Sequence, residues 1–268
     1  MILLQNRQDR LGSNLSNWLA RYILGHYKKA KFKVEGPRFN SIFERALLPL
    51  IELAPEGEMP EELPFDPDFL DITNAYTVLS IQQDLFSYFR EHIKDDYYQI
   101  LKSLATYTVP WEGKVTCLHL RLGDMAFKSD YDGEPDTVFF RNRLNSLDAN
   151  FASYVAYSER GLFAQHPLSE QKILKILPKD YPVVIVTDSP ELVPLLYPNL
   201  KYPIFSSSPD NDLWSMIHST ILIASRSTFA LMAAYVHQGE KVFIPMWSHP
   251  AAMGLTSKYD KSNFDVFY

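Results

Sequence analysis

His119, Arg121 and Asp124 fall within six positions at the end of the run Thr116-Cys-Leu-His-Leu-Arg-Leu-Gly-Asp124, which is otherwise apolar apart from its first residue. A strand built only for packing has no use for three polar groups at its carboxyl end. A guanidinium there can make a two-pronged contact to a phosphate, and a carboxylate can take a proton from a hydroxyl. A second cluster, Ser225-Arg-Ser-Thr228, stands between the apolar runs "ILIA" and "FALMAAYVH". If a helix starts there, its free N–H groups and partial positive charge form a place for an anion, and Ser227 and Thr228 add hydroxyls. A third is Gly12 in the polar stretch "NRQDRLGSN", where a missing side chain lets a ligand approach the backbone. Each feature has an ordinary explanation on its own. Arg121 can be an internal salt-bridge partner, and a Ser-Thr pair can simply cap a helix. Their occurrence together at the ends of strands points to an anionic ligand.

Composition sets the outer limits. The chain has 268 residues, of which 46% are hydrophobic and 14% aromatic, enough for one large core or two smaller ones. The net charge of −6 and the lack of a long basic run argue against nonspecific nucleic-acid binding. The single cysteine, Cys117, excludes a disulfide framework within the chain and reads as a buried, inert thiol. No apolar run reaches the roughly 18 residues of a membrane span, and the N-terminal apolar stretch is too short for a signal peptide. The expectation is a soluble, cytoplasmic protein with no membrane span and no nucleic-acid partner.

The elements that must position these residues follow from the pattern. Residues 2–5 read as a strand, and "NLSNWLARYILGHYKKA" as a helix capped by Ser13 or Asn14. The acidic, proline-rich segment 54–72 reads as a loop, and residues 73–104 as helical. "TVPWEG" at 108–113 is the expected domain boundary, giving an acceptor-side domain at 1–110 and a ligand-binding domain at 111–268. Beyond it, Lys114–Leu122, Pro182–Thr187, Tyr202–Phe205, "ILIA" and "KVFIP" read as strands. Helical patterns separate them, at 138–157, at 169–177, after Asp188 or Ser189 as cap, in "DNDLWSMIHS" and in "FALMAAYVH". This alternation predicts an α/β fold with a parallel sheet. In such sheets ligands bind beyond the carboxyl ends of the strands.

The segment "HLRLGD" resembles the His-x-Arg-x-Gly-Asp motif of the fucosyltransferase superfamily that makes α1,2, α1,6 and protein O-fucose linkages. "DRLGSNLSNWLARYILGHYKKAKF" is similar to that superfamily's first motif, "VVIVTDSPEL" to its strand and Thr-Asp turn, and "DLWSMIHSTILIASRSTFALMAAYV" to its third motif. The four occur in family order. The chain departs from the pattern in lacking the usual first glycine before Leu11 and in having Ala230 where serine is common. The resemblance implies a GT-B-like fold of two Rossmann-like domains with parallel sheets, and an inverting, metal-independent glycosyltransferase. The donor would be a nucleotide sugar, foremost GDP-fucose, bound in the C-terminal half, and the acceptor a glycan. Arg121 would bind the β-phosphate, with His119 near the donor and Ser227 and Thr228 on phosphate oxygens. Asp212 would accept from the guanine edge, unless it is only the cap of a helix over 212–219. Gly12 and Asn14 would lie along the diphosphate. Asp124, Asp130 and Asp132 are the candidates for the base that takes the acceptor's proton. No cofactor beyond the donor is implied.

Three Asp-x-Asp pairs, at 66–68, 130–132 and 210–212, raise the possibility of a metal-bridged diphosphate. None directly follows a clear buried strand, and all lie in turn-rich sequence where aspartate is ordinary, so no metal site is expected. Trp214 and Trp247 are candidates for stacking on a base or sugar, with core packing the commoner role. His218, His237 and His249 read as packed or surface histidines. Two alternatives stand beside the leading expectation. One keeps the fold with another donor, a UDP- or GDP-linked pentose such as xylose or a deoxyhexose such as rhamnose. The other is a non-catalytic module that binds sugar nucleotides or glycans.

Overall fold

The computed structural model describes residues 2–5, 11, 12, 15, 32–35, 41–53, 92–122, 167–245 and 264–267. The chain divides into two compact units, Met1–Tyr107 with Pro250–Tyr259, and Thr108–His249 with Asp260–Tyr268.

In the first unit, strands β1 (Ile2–Gln5) and β2 (Phe32–Glu35) pair in parallel, Ile2 opposite Phe32 and Gln5 opposite Glu35. Helix α1 (Ile42–Leu53) buries Ile42, Phe43, Ala46, Leu47 and Leu50, the spacing of one helical face. It packs on helix α2 (Lys94–Leu104), where Tyr97 and Leu101 are buried and the Tyr97 hydroxyl donates to the Phe43 carbonyl at 3.0 Å. Leu11, Gly12 and Leu15 have helical backbone, and Gly12 is buried. A loop at Gly12 is therefore not what forms, and the expected caps Ser13 and Asn14 lie outside the described residues.

Among the described residues the second unit is built on six parallel strands. They are β3 (Thr116–Leu120), β4 (Val183–Thr187), β5 (Ile204–Phe205), β6 (Ile221–Ile223), β7 (Lys241–Pro245) and β8 (Phe264–Phe267). Their spatial order is β5-β4-β3-β6-β7-β8. The chain moves outward from β3 through β4 to β5, then returns to the other side of β3 and continues through β6 and β7 to β8. This is the order of the doubly wound dinucleotide-binding sheets, and the direction reverses between β3 and β6. Every residue of β3, β4 and β6 is buried, as expected for parallel strands covered on both faces.

Alternation along β3 sorts the two faces. Leu118 and Leu120 join a cluster with Ile185, Ile223, Ile173 of helix α3 (Glu170–Ile176) and Val193 and Leu196 of helix α4 (Val193–Leu196). Cys117 and His119 face the other way. There the His119 ring meets Phe229 at 5.8 Å between centroids, and Cys117 feels the charge of Asp212. Phe229 belongs to helix α6 (Thr228–Val236) and Asp212 to helix α5 (Pro209–Ile217), and these two helices pack together. Local chemistry starts three of these helices. Ser169, Ser208 and Ser227 cap α3, α5 and α6 through their hydroxyls, and Pro209 occupies the first turn of α5. At the expected boundary, Gly113 supplies a positive φ of 72°, a turn geometry open to glycine at no steric cost.

Among the described residues no helix is long and apolar enough to cross a membrane. The expected loop at 54–72 and the helix at 138–157 lie outside the described residues, as does most of the helical stretch expected at 73–104.

Candidate functional site

The reversal between β3 and β6 is where two of the three sequence clusters arrive. The strands run side by side with Leu118 opposite Ile223, so the residues just past both ladders are neighbours. His119 Nδ1 and Ser225 Oγ share a hydrogen bond of 2.7 Å, tying the end of β3 to the loop that leads into α6. The imidazole is 4% exposed, and burial pushes its pKa down to about 3. It is therefore a neutral ring at ordinary pH, serving as a pin across the reversal rather than as a titrating acid or base.

From Ser225 the chain turns into α6 within three residues. The Ser227 N–H donates to the Ser225 carbonyl at 2.8 Å, and the Ser227 hydroxyl accepts from the Phe229 N–H at 3.2 Å. Thr228 is the first helical residue and is half-buried. Ser227 thus already serves as a cap, and an anion there would meet the backbone start of α6 with Thr228 beside it. Arg226, only 4% exposed, lies between these serines. The sequence reading gave it no role, although a buried arginine is itself a signal, because such a charge must be paired.

Arg121 lies one residue beyond β3. Its Nη1 is ion-paired with Asp188 Oδ2, and Asp188 Oδ1 accepts from the Leu122 N–H at 3.0 Å. Asp188 was expected, with Ser189, as a cap for the following helix. Of these two alternatives Ser189 takes the N-cap position, without a side-chain cap bond, and the helix opens as a short 3₁₀ turn over Pro190–Leu192. The Asp188 carboxylate goes to Arg121 and Leu122, just past the end of the neighbouring strand.

For Asp212 the alternative to a guanine contact was a helix cap, and it does not cap the helix that contains it. Ser208 does, accepting from the Asn211 N–H at 3.3 Å, and α5 begins at Pro209, one residue before the expected helix "DNDLWSMIHS". Asp212 sits one turn in and reaches back to accept from the Ser207 N–H at 3.0 Å. Burial raises its pKa to about 6, and the Ser207 bond only partly offsets this. A half-buried carboxyl with a single backbone donor is suited to accepting further N–H groups. Asp210, its partner in the third Asp-x-Asp pair, is buried in the first turn of the same helix. Among the described residues no group of three or more His, Cys, Asp or Glu side chains could hold a metal ion.

The Trp214 ring is 7% exposed and lies 4.0 Å from the His218 ring, whose Nδ1 bonds the Trp214 carbonyl at 2.8 Å. It is thus committed to the core. His237 is buried against Ser219 at 3.3 Å. Cys117 is fully buried and burial pushes its thiol pKa up, which keeps it protonated and inert. The structure therefore ties His119 to Ser225, two residues before Ser227, and pairs Arg121 with Asp188, while Asp212 occupies α5. Asn14, Asp124, Asp130, Asp132, Trp247 and His249 lie outside the described residues. In comparisons with known proteins, no family model matches the chain and no curated protein matches it.

Proposed function

We propose that the chain is an inverting glycosyltransferase that takes a nucleotide sugar, GDP-fucose foremost, and delivers the sugar to a glycan acceptor. The observation that carries this reading is the His119–Ser225 bond at the reversal of a doubly wound sheet. It sets a guanidinium-bearing strand end beside the start of a helix, and such reversals are where these sheets bind nucleotides. The motif resemblance supplies the rest: the GT-B architecture, with β1 and β2 as part of a first Rossmann-like domain, and the fucose donor.

In this mechanism the acceptor hydroxyl attacks the anomeric carbon as the bond to the diphosphate breaks. Charge that develops on the leaving phosphate is met by Arg121 and by the start of α6, partners fixed before the reaction begins. Asp212 accepts from the guanine N1–H and exocyclic amine, a pairing that suits a carboxylate. The proton of the acceptor passes to a carboxylate, for which Asp124, Asp130 and Asp132 are the proposed candidates. The protein's own cations stabilise the leaving group, so the reading needs no divalent metal.

The Arg121–Asp188 ion pair favours a second reading. If that pair is purely structural, the fold binds a sugar nucleotide or glycan without transfer. A thermal-shift panel of GDP, UDP, dTDP and their sugars, followed by an assay for released nucleoside diphosphate, separates the two. A ligand at 100-fold its Kd adds about 2.7 kcal/mol of stability. Stabilisation by GDP-fucose with turnover supports the transferase, and stabilisation without turnover supports the binding module. A preference for UDP sugars moves the donor to the pentose or rhamnose class.

A further inference from the structure

One carboxylate joins the ends of β3 and β4. Leu120 pairs with Thr187, so Arg121, Leu122 and Asp188 are the first residues past the ladder. Asp188 binds Leu122 N–H through one oxygen and Arg121 through the other. Its own turn is held in place, because the Ser189 N–H donates to the Thr187 hydroxyl at 3.2 Å. The local rule for an aspartate before a helix would turn the carboxylate onto that helix's N–H groups. Here it reaches 66 residues back along the chain instead. The pair is partly open, with the Arg121 side chain 14% and the Asp188 side chain 34% exposed. Ion pairs in such settings add little to stability. What the arrangement does supply is orientation, since a long arginine stem otherwise samples many rotamers.

We propose that Asp188 is a positioning residue, which holds the Arg121 guanidinium in one orientation at the end of β3 so that it meets the diphosphate of the ligand. The proposal rests on the reading of Arg121 as an anion partner. Preorganised donors avoid the ordering cost at the moment of binding, and removing the element that orders them weakens the ligand without removing any ligand contact. Asp188→Asn keeps an oxygen for Leu122 N–H and loses the charge facing Arg121.

The test is a double-mutant cycle on the full chain, with calorimetric titration of inorganic pyrophosphate and GDP into wild type, Asp188→Asn, Arg121→Ala and the double variant. Near-UV circular dichroism checks the fold of each. Asp188→Asn is expected to weaken both ligands roughly five- to thirtyfold. The double variant is expected to bind no more weakly than Arg121→Ala, because without the guanidinium there is nothing left to position. A merely structural role would instead add its loss in full on the Arg121→Ala background. Should Asp188→Asn fail to fold, Asp188→Glu keeps the charge but displaces it by one methylene, and a similar loss is expected. Wild-type affinity in Asp188→Asn, or in Asp188→Glu where that variant is needed, overturns the positioning role alone, as does full additivity. If the wild type binds neither pyrophosphate nor GDP, the anion-binding reading of Arg121 fails, and the role of Asp188 fails with it.

Discussion

Acidification is predicted to strain the His119 pin in a calculable way. In the unfolded chain the imidazole takes a proton near 6.5, whereas in the folded protein burial holds that off until about 3. Between those values the unfolded state binds one more proton, so stability falls as pH falls. The loss begins near the unfolded pKa and is complete near the folded one. From about pH 7 to about pH 5 this linkage amounts to about 2 kcal/mol, and its limiting slope is about 1.4 kcal/mol per pH unit. His119 is 4% exposed, so solvent does little to screen the effect. Other groups titrate over the same range, and the informative quantity is therefore a difference. Urea unfolding of wild type and His119→Gln, followed by tryptophan fluorescence across this range, provides it. Glutamine stays neutral, so the wild type should lose about 2 kcal/mol more than the variant between the two pH values. Parallel pH profiles would refute a buried neutral histidine and remove the pin between β3 and the α6 loop.

Arg121→Ala is expected to lower turnover by 10²- to 10³-fold, as loss of an oxyanion partner does, with the fold intact. Arg121→Lys should rescue it poorly because the planar fork is gone, and steady-state kinetics with circular dichroism checks both. Asp212→Asn should weaken GDP roughly 5- to 150-fold by setting a donor against the guanine donors, with pyrophosphate affinity unchanged in calorimetry. Because the folded Asp212 carboxyl titrates near about 6, and only its charged form is a pure acceptor, the wild-type preference for GDP over UDP should rise as pH rises through that value. Gly239→Ala should destabilise by more than about 3 kcal/mol in thermal unfolding, since a Cβ there would lie 2.1 Å from the Ser219 carbonyl oxygen and 2.5 Å from that of Thr220. Excess EDTA should leave turnover unchanged, with loss restored by Mn²⁺ or Mg²⁺ as the contrary outcome.

The buried parallel strands were legible because their chemistry is local and continuous. Val183–Thr187 is an unbroken β-branched run ending in threonine, and it forms within one residue of its expected bounds. Strand β8 was not anticipated: Phe-Asp-Val-Phe is short, and what makes it a strand is its pairing with β7, a tertiary fact. Strand β2 was not anticipated for a similar reason, since Phe-Lys-Val-Glu is short and what makes it a strand is its pairing with β1. The start of α5 could have been read from Ser208-Pro209, a cap followed by proline in the first turn, but the acidic residues after it drew attention instead. The alignment of the site was legible only in part. Sequence placed His119, Arg121 and Ser227-Thr228 at strand ends, but the bond from His119 to Ser225 spans 106 residues and depends on strand order. The diversion of Asp188 from cap to partner of Arg121 and Leu122 likewise depends on the β3–β4 register.

The most direct measurement of the central claim is release of GDP from GDP-fucose by wild type and Arg121→Ala, with UDP sugars alongside. With a glycan acceptor present, GDP release by the wild type is expected, metal-independent and lowered by 10²- to 10³-fold in the variant. Equal release by the two proteins, or binding of the donor with no release by either, would contradict it.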